Sequence, residues 1–538
     1  MALRFALCIL AIIVFGVVIA IRIRLLEMPL ERDEGEYAYA GQLMLQGIPP
    51  YKLAYNMKFP GTYAAYAGIM SVFGQTIRGI HLGLLLVNAA TVALIYLLGR
   101  RLVNSTAGIV AATSYAVLSV SPSVLGLAAH ATNFVMVLVL GGTLLLLTCR
   151  SSEVHVFGRL FASGLLFGIG ALMKQPALLF IPFGAIQLLW NDIQQRFAPK
   201  KVLLRNLTFC VAAILPLGIT CLFLWRAGVL DKFWFWTIRY AGQYGTFLMT
   251  EVYSGKWPLF RAVQFSAQLI REAIGIGCVL WALAGLGLVV GLWDSVSRPS
   301  TRFLLSLFVF SALAVCQGFY FRPHYFIMIL PAVSLLVGVA INKVSDLLTT
   351  RMIVVRLVPI FLLGAILSLP ILWGKKIFFE LSPSEACRMI YSDSPFAESI
   401  KIGQYLREHT NRDDTIAVLG SEPEIYFYAQ RHSATGYIYA YGLMEPQKYA
   451  RQMQDEMIHE IERASPKYLI SVVMFDSWLW RPGSERLIFN WANEYAAQNY
   501  TAAGLVNMTP RETDYFFGDV PPSVESLKNY ILIYQRNP

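Results

Sequence analysis

Charge is scarce in this chain. Of its 538 residues only 14% are Asp, Glu, Lys or Arg, against about 25% in an average soluble domain. Acids are scarcer still in residues 1–374, which hold 12 Asp and Glu against 28 Lys and Arg, whereas residues 375–538 hold 21 against 16. The basic excess behind the pI of 9.2 therefore lies between apolar segments, as in membrane loops, and describes no nucleic-acid surface. The seven cysteines include no CxxC, and Cys8, Cys210, Cys221, Cys278 and Cys316 sit inside apolar runs, so neither a disulfide framework nor structural zinc is indicated. There is no GxxxxGK[ST] and no GxGxxG opening a soluble α/β unit, which leaves cytosolic nucleotide use without support. No small-residue cleavage site follows the first apolar stretch; Ile21-Arg22-Ile23-Arg24 does, and the stretch reads as an uncleaved span.

What is abundant is apolar sequence: 56% of residues are hydrophobic and the mean hydropathy is +0.55. A helical span takes about 20 apolar residues. Runs near 5–21, 80–98, 107–122, 133–148, 160–173, 177–190, 207–225, 273–293, 303–319, 325–341 and 357–373 predict a polytopic α-helical membrane protein of about eleven transmembrane helices. The short loops 99–106, 149–159, 191–206, 294–302 and 342–356 are rich in Arg and Lys, which places them and the N-terminus in the cytoplasm. An odd number of spans then puts residues 375–538 outside. Strand-like Thr415–Gly420, Tyr468–Met474 and Tyr530–Tyr534, alternating with helical 398–409 and Glu424–Gln430, predict a C-terminal extracytoplasmic α/β domain there. The transmembrane domain, 1–374, keeps two long external loops, 22–79 and 226–272. The first suits short helices lying on the membrane surface. The second carries Phe233-Trp234-Phe235-Trp236, read as an interfacial aromatic belt in preference to a sugar-stacking platform.

Five of the twelve membrane-domain acids, Glu27, Glu31, Asp33, Glu34 and Glu36, fall within ten residues. A loop needs no such concentration merely to stay in water, and a carboxylate at the membrane surface serves as a general base, a metal ligand or a proton carrier. The same topology brings Lys58, Lys174 and Arg322-Pro323-His324-Tyr325 to the outer side. An ammonium between two apolar runs, as at Lys174, is costly unless partnered. Cations beside carboxylates at a lipid interface suit a phosphate-bearing lipid with an acid or base nearby. His130 and Asn133 also fall outside; a lone histidine there is expected to be a hydrogen-bonded structural residue. Three functions stay open on these residues alone: a lipid-linked sugar transferase, a transporter or flippase for such lipids, and a structural partner in envelope assembly.

Asp33-Glu34-Gly35-Glu36-Tyr37-Ala38 resembles the Asp-Glu-x-x-Tyr-Ala motif in the first external loop of type C glycosyltransferases. It is most similar to the branch of aminoarabinose and protein mannosyl transferases, which includes rhizobial lipopolysaccharide galacturonosyl transferases. Gly47-Ile48-Pro49-Pro50-Tyr51 and Met57-Lys58-Phe59-Pro60-Gly61 resemble that branch too, with Phe59 where it has the first of two prolines. Met173-Lys174-Gln175-Pro176 and Arg322-Pro323-His324-Tyr325-Phe326 are similar to segments of bacterial members. The resemblance covers residues 1–345. It implies the type C glycosyltransferase fold in a multi-pass cell (inner) membrane protein. The implied activity is transfer of a sugar from a polyprenyl-phosphate donor to a hydroxyl of an envelope acceptor, with membrane lipids as further partners and no nucleic acid. By resemblance Asp33 is the catalytic base, and Glu34, Glu36 and Tyr37 orient the acceptor or a cation. Lys58, Arg322, His324, Tyr325 and Lys174 bind the donor phosphate. Some relatives hold a divalent cation and others none; no ligand set in the sequence assigns a metal.

Overall fold

Each apolar run falls on a helix. The computed structural model describes residues 2–149, 155–244, 258–347, 353–392, 394–509, 512–518, 520–521 and 527–538; 245–257 of the second external loop, together with Arg150 and Arg351, lie outside them. The helices are α1 (Ala2–Arg24), α2 (Arg32–Leu45), α3 (Gly61–Phe73), α4 (Ile77–Leu102), α5 (Ser105–Leu118), α6 (Ala131–Thr148), α7 (Val156–Met173) and α8 (Phe180–Gln194), then α9 (Pro199–Arg226), α10 (Leu230–Trp234), α11 (Pro258–Ile274), α12 (Cys278–Trp293), α13 (Arg298–Cys316), α14 (Leu330–Leu347) and α15 (Ile353–Trp373). Among the described residues nine segments are long and apolar enough to cross a membrane, and Ser105–Leu118 and Leu357–Trp373 are apolar but shorter. The protein is a multi-pass membrane protein. Prolines explain where run and helix part company. Pro122 stops the third run, so α5 ends at Leu118; Pro323 and Pro331 hold 323–328 in a 3₁₀ turn, and α14 starts only at Leu330.

The helices approach closely. A Cβ on Gly287 of α12 would lie 2.1 Å from the Leu336 carbonyl of α14, so only glycine fits, the small-residue packing that membrane helices use in place of a hydrophobic driving force. Asn104 caps α5 and donates to Asn342 Oδ1 at 2.7 Å, tying α5 to α14.

The C-terminal region contains α16 (Pro383–Tyr391), α17 (Phe396–Glu408), β1 (Thr415–Leu419), α18 (Glu424–Ala429), β2 (His432–Ser433), α19 (Tyr441–Met444), α20 (Ala450–Ala464), β3 (Tyr468–Val473), α21 (Phe475–Trp478), α22 (Leu487–Asn499), β4 (Tyr500–Met508), β5 (Thr513–Phe517) and β6 (Tyr530–Arg536). The sheet order is β2-β1-β3-β6-β4-β5. β1 lies parallel to β2 and β3, and the remaining pairs are antiparallel. Ile416–Leu419 is buried without alternation, as expected of a parallel strand covered on both faces.

The first external loop does form two helices, as expected. α2 is buried along most of its length. One continuous core runs from Tyr37, Tyr63 and Ile80 to Ile416, Ile470 and Ile533 of the sheet. Tyr39 stacks on Tyr426 at 5.1 Å, and its hydroxyl accepts the Ser433 N–H at 2.7 Å. A Cβ on Gly35 would lie 2.6 Å from Glu424 Cβ and 2.7 Å from its backbone nitrogen. Gly35→Ala is therefore expected to lower stability by about 1–3 kcal/mol through overpacking, read as a lower melting temperature in detergent and faster proteolysis between 375 and 538. A melting temperature equal to wild type would contradict this contact.

Candidate active site

α2 starts with a reciprocal cap. Glu31 accepts the Glu34 N–H at 3.0 Å, and Glu34 Oε2 accepts the Glu31 N–H at 3.3 Å, which satisfies donors that a helix start leaves open. The cap spends two of the clustered acids on structure. Glu34 is fully buried, and its Oε1 also accepts from His81 Nε2 at 3.1 Å and from the Ala129 N–H at 2.6 Å. The expected role of Glu34 in orienting an acceptor is thus not what its position supports: it faces His81 and a backbone amide, outside the cavity lining. Glu36 is equally buried and accepts from Tyr63 at 2.6 Å, Asn56 at 2.8 Å and Lys58 at 2.6 Å. It too lies behind the cavity wall and holds Lys58.

Asp33 faces the cavity, which Glu31 also lines. Its Oδ1 lies 2.7 Å from Lys58 Nζ and 3.5 Å from the Tyr439 hydroxyl, and its Oδ2 lies 3.7 Å from His324 Nε2. Lys58 reaches it from a turn in which Tyr51, at φ 65°, donates its hydroxyl to the Lys58 carbonyl at 2.7 Å. The ammonium lies over the Tyr37 ring at 4.7 Å and the Tyr439 ring at 5.5 Å. Burial by itself raises the Asp33 carboxyl pKa; Lys58, then His324 and Lys174, outweigh it and hold the group well below the usual carboxylate range. Glu31, buried beside Asp33 and Glu34, is pushed the other way.

The cavity that Asp33 faces has a volume of about 720 Å³, within the range of small-molecule sites. It lies between the membrane helices and the C-terminal region. Lys174, Arg322, His324 and Tyr325 line it together, and so do Tyr439, Tyr441, Glu445 and Arg481 from the other side. Lys174 lies over the Tyr325 ring at 4.1 Å and Arg322 over Tyr320 at 5.4 Å. Burial, and then the charge of Lys58, pushes the Lys174 ammonium down to about 7.

His130 and the aromatic run at 233–236 depart from their expected roles. His130 is no hydrogen-bonded structural histidine: it stacks on His324 at 4.2 Å, and neither ring nitrogen has a hydrogen-bond partner among the described residues. Asp33, His130 and His324 offer ligand atoms within 4.8 Å of one another, a carboxylate and two imidazoles that suit a divalent transition metal. The aromatic run is likewise no simple interfacial belt. Phe233 and Trp236 are buried, and Trp236 lines the cavity and packs on Tyr55 at 5.8 Å, while Trp234 is exposed.

A family model described as dolichyl-phosphate-mannose-protein mannosyltransferase matches residues 58–219. The fold resembles that of ArnT from Cupriavidus metallidurans bound to undecaprenyl phosphate, with a TM-score of 0.60 and 14% identity over 97% of each chain. It also resembles the archaeal oligosaccharyltransferase AglB from Archaeoglobus fulgidus in complex with an inhibitory peptide and a dolichol-phosphate. There the TM-score is 0.54 and the identity 12%, over 97% of this chain and 75% of that one. The same oligosaccharyltransferase in complex with Zn and sulfate matches with a TM-score of 0.51 and 13% identity, over 95% and 72%. No curated protein sequence matches the chain significantly. The chain has the type C glycosyltransferase fold, as the motif around Asp33 implies.

Proposed function

We propose that this protein is an integral-membrane glycosyltransferase. It moves a sugar from a polyprenyl-phosphate carrier to a hydroxyl of an envelope acceptor on the outer face of the inner membrane, with the N-terminus cytoplasmic and the domain at 375–538 outside. The observation that carries this reading is the pairing of Asp33 with Lys58 at 2.7 Å in a cavity also lined by Lys174 and Arg322: a carboxylate and three cations line one cavity. A transporter would place its charges near the bilayer midplane between repeated halves, and no observation favours that reading.

Lys58 has two jobs in this account. Paired with Asp33, it keeps the carboxylate ionised but makes it a weak base. A donor phosphate drawn to Lys58, Arg322 and Lys174 takes up that ammonium's charge, and Asp33 gains basicity as the pairing loosens. The acceptor oxygen then bonds to the anomeric carbon and its proton goes to Asp33. The carbon–oxygen bond to phosphate breaks, and its electron pair stays on the phosphate, where the cations stabilise it. Glu36 keeps Lys58 in place, and Tyr37 lies under its ammonium. A divalent cation would be held by Asp33, His130 and His324, and when bound it supplies Lewis-acid polarisation of an oxygen ligand.

Purified protein in lipid, given radiolabelled polyprenyl-phosphate sugars and a membrane extract, is expected to form a labelled product, and Asp33→Asn to slow its formation about 10²–10⁴-fold. Wild-type transfer by Asp33→Asn at equal protein level would remove Asp33 as the base. Lys174 is charged below about pH 7 and neutral above it, so its help to donor binding is present below that pH and lost as pH rises through it. The kcat/KM for donor is expected to fall above about pH 7, and Lys174→Arg to abolish that limb; an unchanged limb would take Lys174 out of the phosphate site.

A further inference from the structure

The crevice at the carboxyl ends of β1 and β3 is where an open α/β sheet normally receives a ligand. The chain leaves β1 toward β2 on one side and returns to β3 on the other, which makes this a topological switch point. Here the crevice is filled by Arg32, the residue before Asp33. Its Nε donates to the Ser421 carbonyl at 2.6 Å and its Nη1 to the Tyr441 hydroxyl at 2.5 Å, and its Nη2 lies 3.2 Å from Glu422 Oε1. Those acceptors are themselves fixed. Glu422, with no exposed surface, accepts the Ser477 hydroxyl at 2.7 Å, Ser477 accepts the Ser421 N–H at 3.0 Å, and Tyr441 donates to the Asp476 carbonyl at 2.7 Å. The guanidinium also lies over the Tyr441 and Phe396 rings, at 5.2 and 5.4 Å.

A fork of three differently directed donors, each on a fixed acceptor, sets orientation as well as position. Asp33 is the next residue along the same first turn of α2, and Tyr439, two residues before Tyr441, places its hydroxyl 3.5 Å from Asp33 Oδ1. Both residues are thus held from the C-terminal side, while Lys58 holds Asp33 from the membrane side. A docking contact made only for stability needs apolar area, which Tyr39, Tyr426 and the shared core already provide; it does not need a buried guanidinium one residue from the carboxylate. We infer that the C-terminal domain is a working part of the transfer site, with Arg32 as the positioning residue through which the sheet's crevice sets the place of Asp33. This rests on the reading of Asp33 as the base.

The test is transfer by full-length protein in lipid, with the polyprenyl-phosphate sugar that wild type uses. Arg32→Ala is expected to lower kcat about 100-fold, the scale of an ångström-sized misplacement, with donor KM within about threefold of wild type by the same reasoning. Guanidinium ion, which fits the vacated crevice, is expected to restore kcat at least tenfold, and methylammonium, a charge without the fork, to restore none. Glu422→Gln, close to isosteric, supplies the second variant where Arg32→Ala does not fold, and is expected to lower kcat roughly tenfold at unchanged donor KM, one charge-assisted bond having been weakened. Wild-type kcat in folded Arg32→Ala or Glu422→Gln, or equal rescue by methylammonium, would overturn the inference. Asp33→Asn measured alongside separates the two ideas: full transfer by that variant would remove the base itself, whatever the Arg32 variants do.

Discussion

Everything at this site depends on burying α2 together with its acids. Four carboxylates within six residues cannot leave water unless each gains a partner, because an uncompensated buried charge costs several kcal/mol. The structure supplies the partners one by one. Glu31 caps the helix, Glu34 takes His81 and the Ala129 amide, and Glu36 takes Tyr63, Asn56 and Lys58. Three of the four are thereby spent on holding the helix and its neighbours. Asp33 differs in meeting Lys58 from the cavity side, while Glu36 holds the same ammonium from behind the wall.

The same burial explains why the two halves of the molecule cannot be considered separately. α2 belongs by sequence to the membrane domain and packs there through Tyr37 on Tyr63 and Tyr66, yet Tyr39 stacks on Tyr426 in a core that continues to Ile416 and Ile470, and its charged end is gripped by Ser421, Glu422 and Tyr441. The cavity opens between the halves and takes residues from both. Lys174 lies over Tyr325 and Arg322 over Tyr320, and among the described residues neither forms a salt bridge with a carboxylate. A phosphate entering the cavity meets Lys58, Lys174 and Arg322 together, and beside protein their fields are less screened than in bulk water.

Much of this was legible in the sequence, and for a physical reason. A bilayer demands long apolar runs and tolerates few acids, so the spans and the cluster at 31–36 both stand out against a background poor in acids. Lys174 was readable because a cation between two apolar runs is expensive, and Lys58 and Arg322-Pro323-His324-Tyr325 because the topology brings them to the same side as the acids. His130 was not: a single histidine in Ala129-His130-Ala131 carries no spacing signal, and only the stacking on His324 reveals its place. Glu34 and Asp33 look alike as neighbours in a motif, and only the turn of α2 sends one to His81 and the other to the cavity. In the C-terminal region β1, β3 and β6 were visible as apolar runs, whereas α20 and α22 and the half-exposed strands β4 and β5 were hidden among polar residues. The setting of Arg32 was invisible in the sequence, since its partners lie 389 to 409 positions away.

The central claim is that the donor phosphate displaces Asp33 as the partner of Lys58. A structure of the protein in lipid with polyprenyl phosphate tests it most directly. The expected result is a phosphate within hydrogen-bond distance of Lys58 and Arg322, with the 2.7 Å Lys58–Asp33 contact lengthened and Asp33 turned to the cavity. A phosphate bound elsewhere, with that contact intact, would contradict the account.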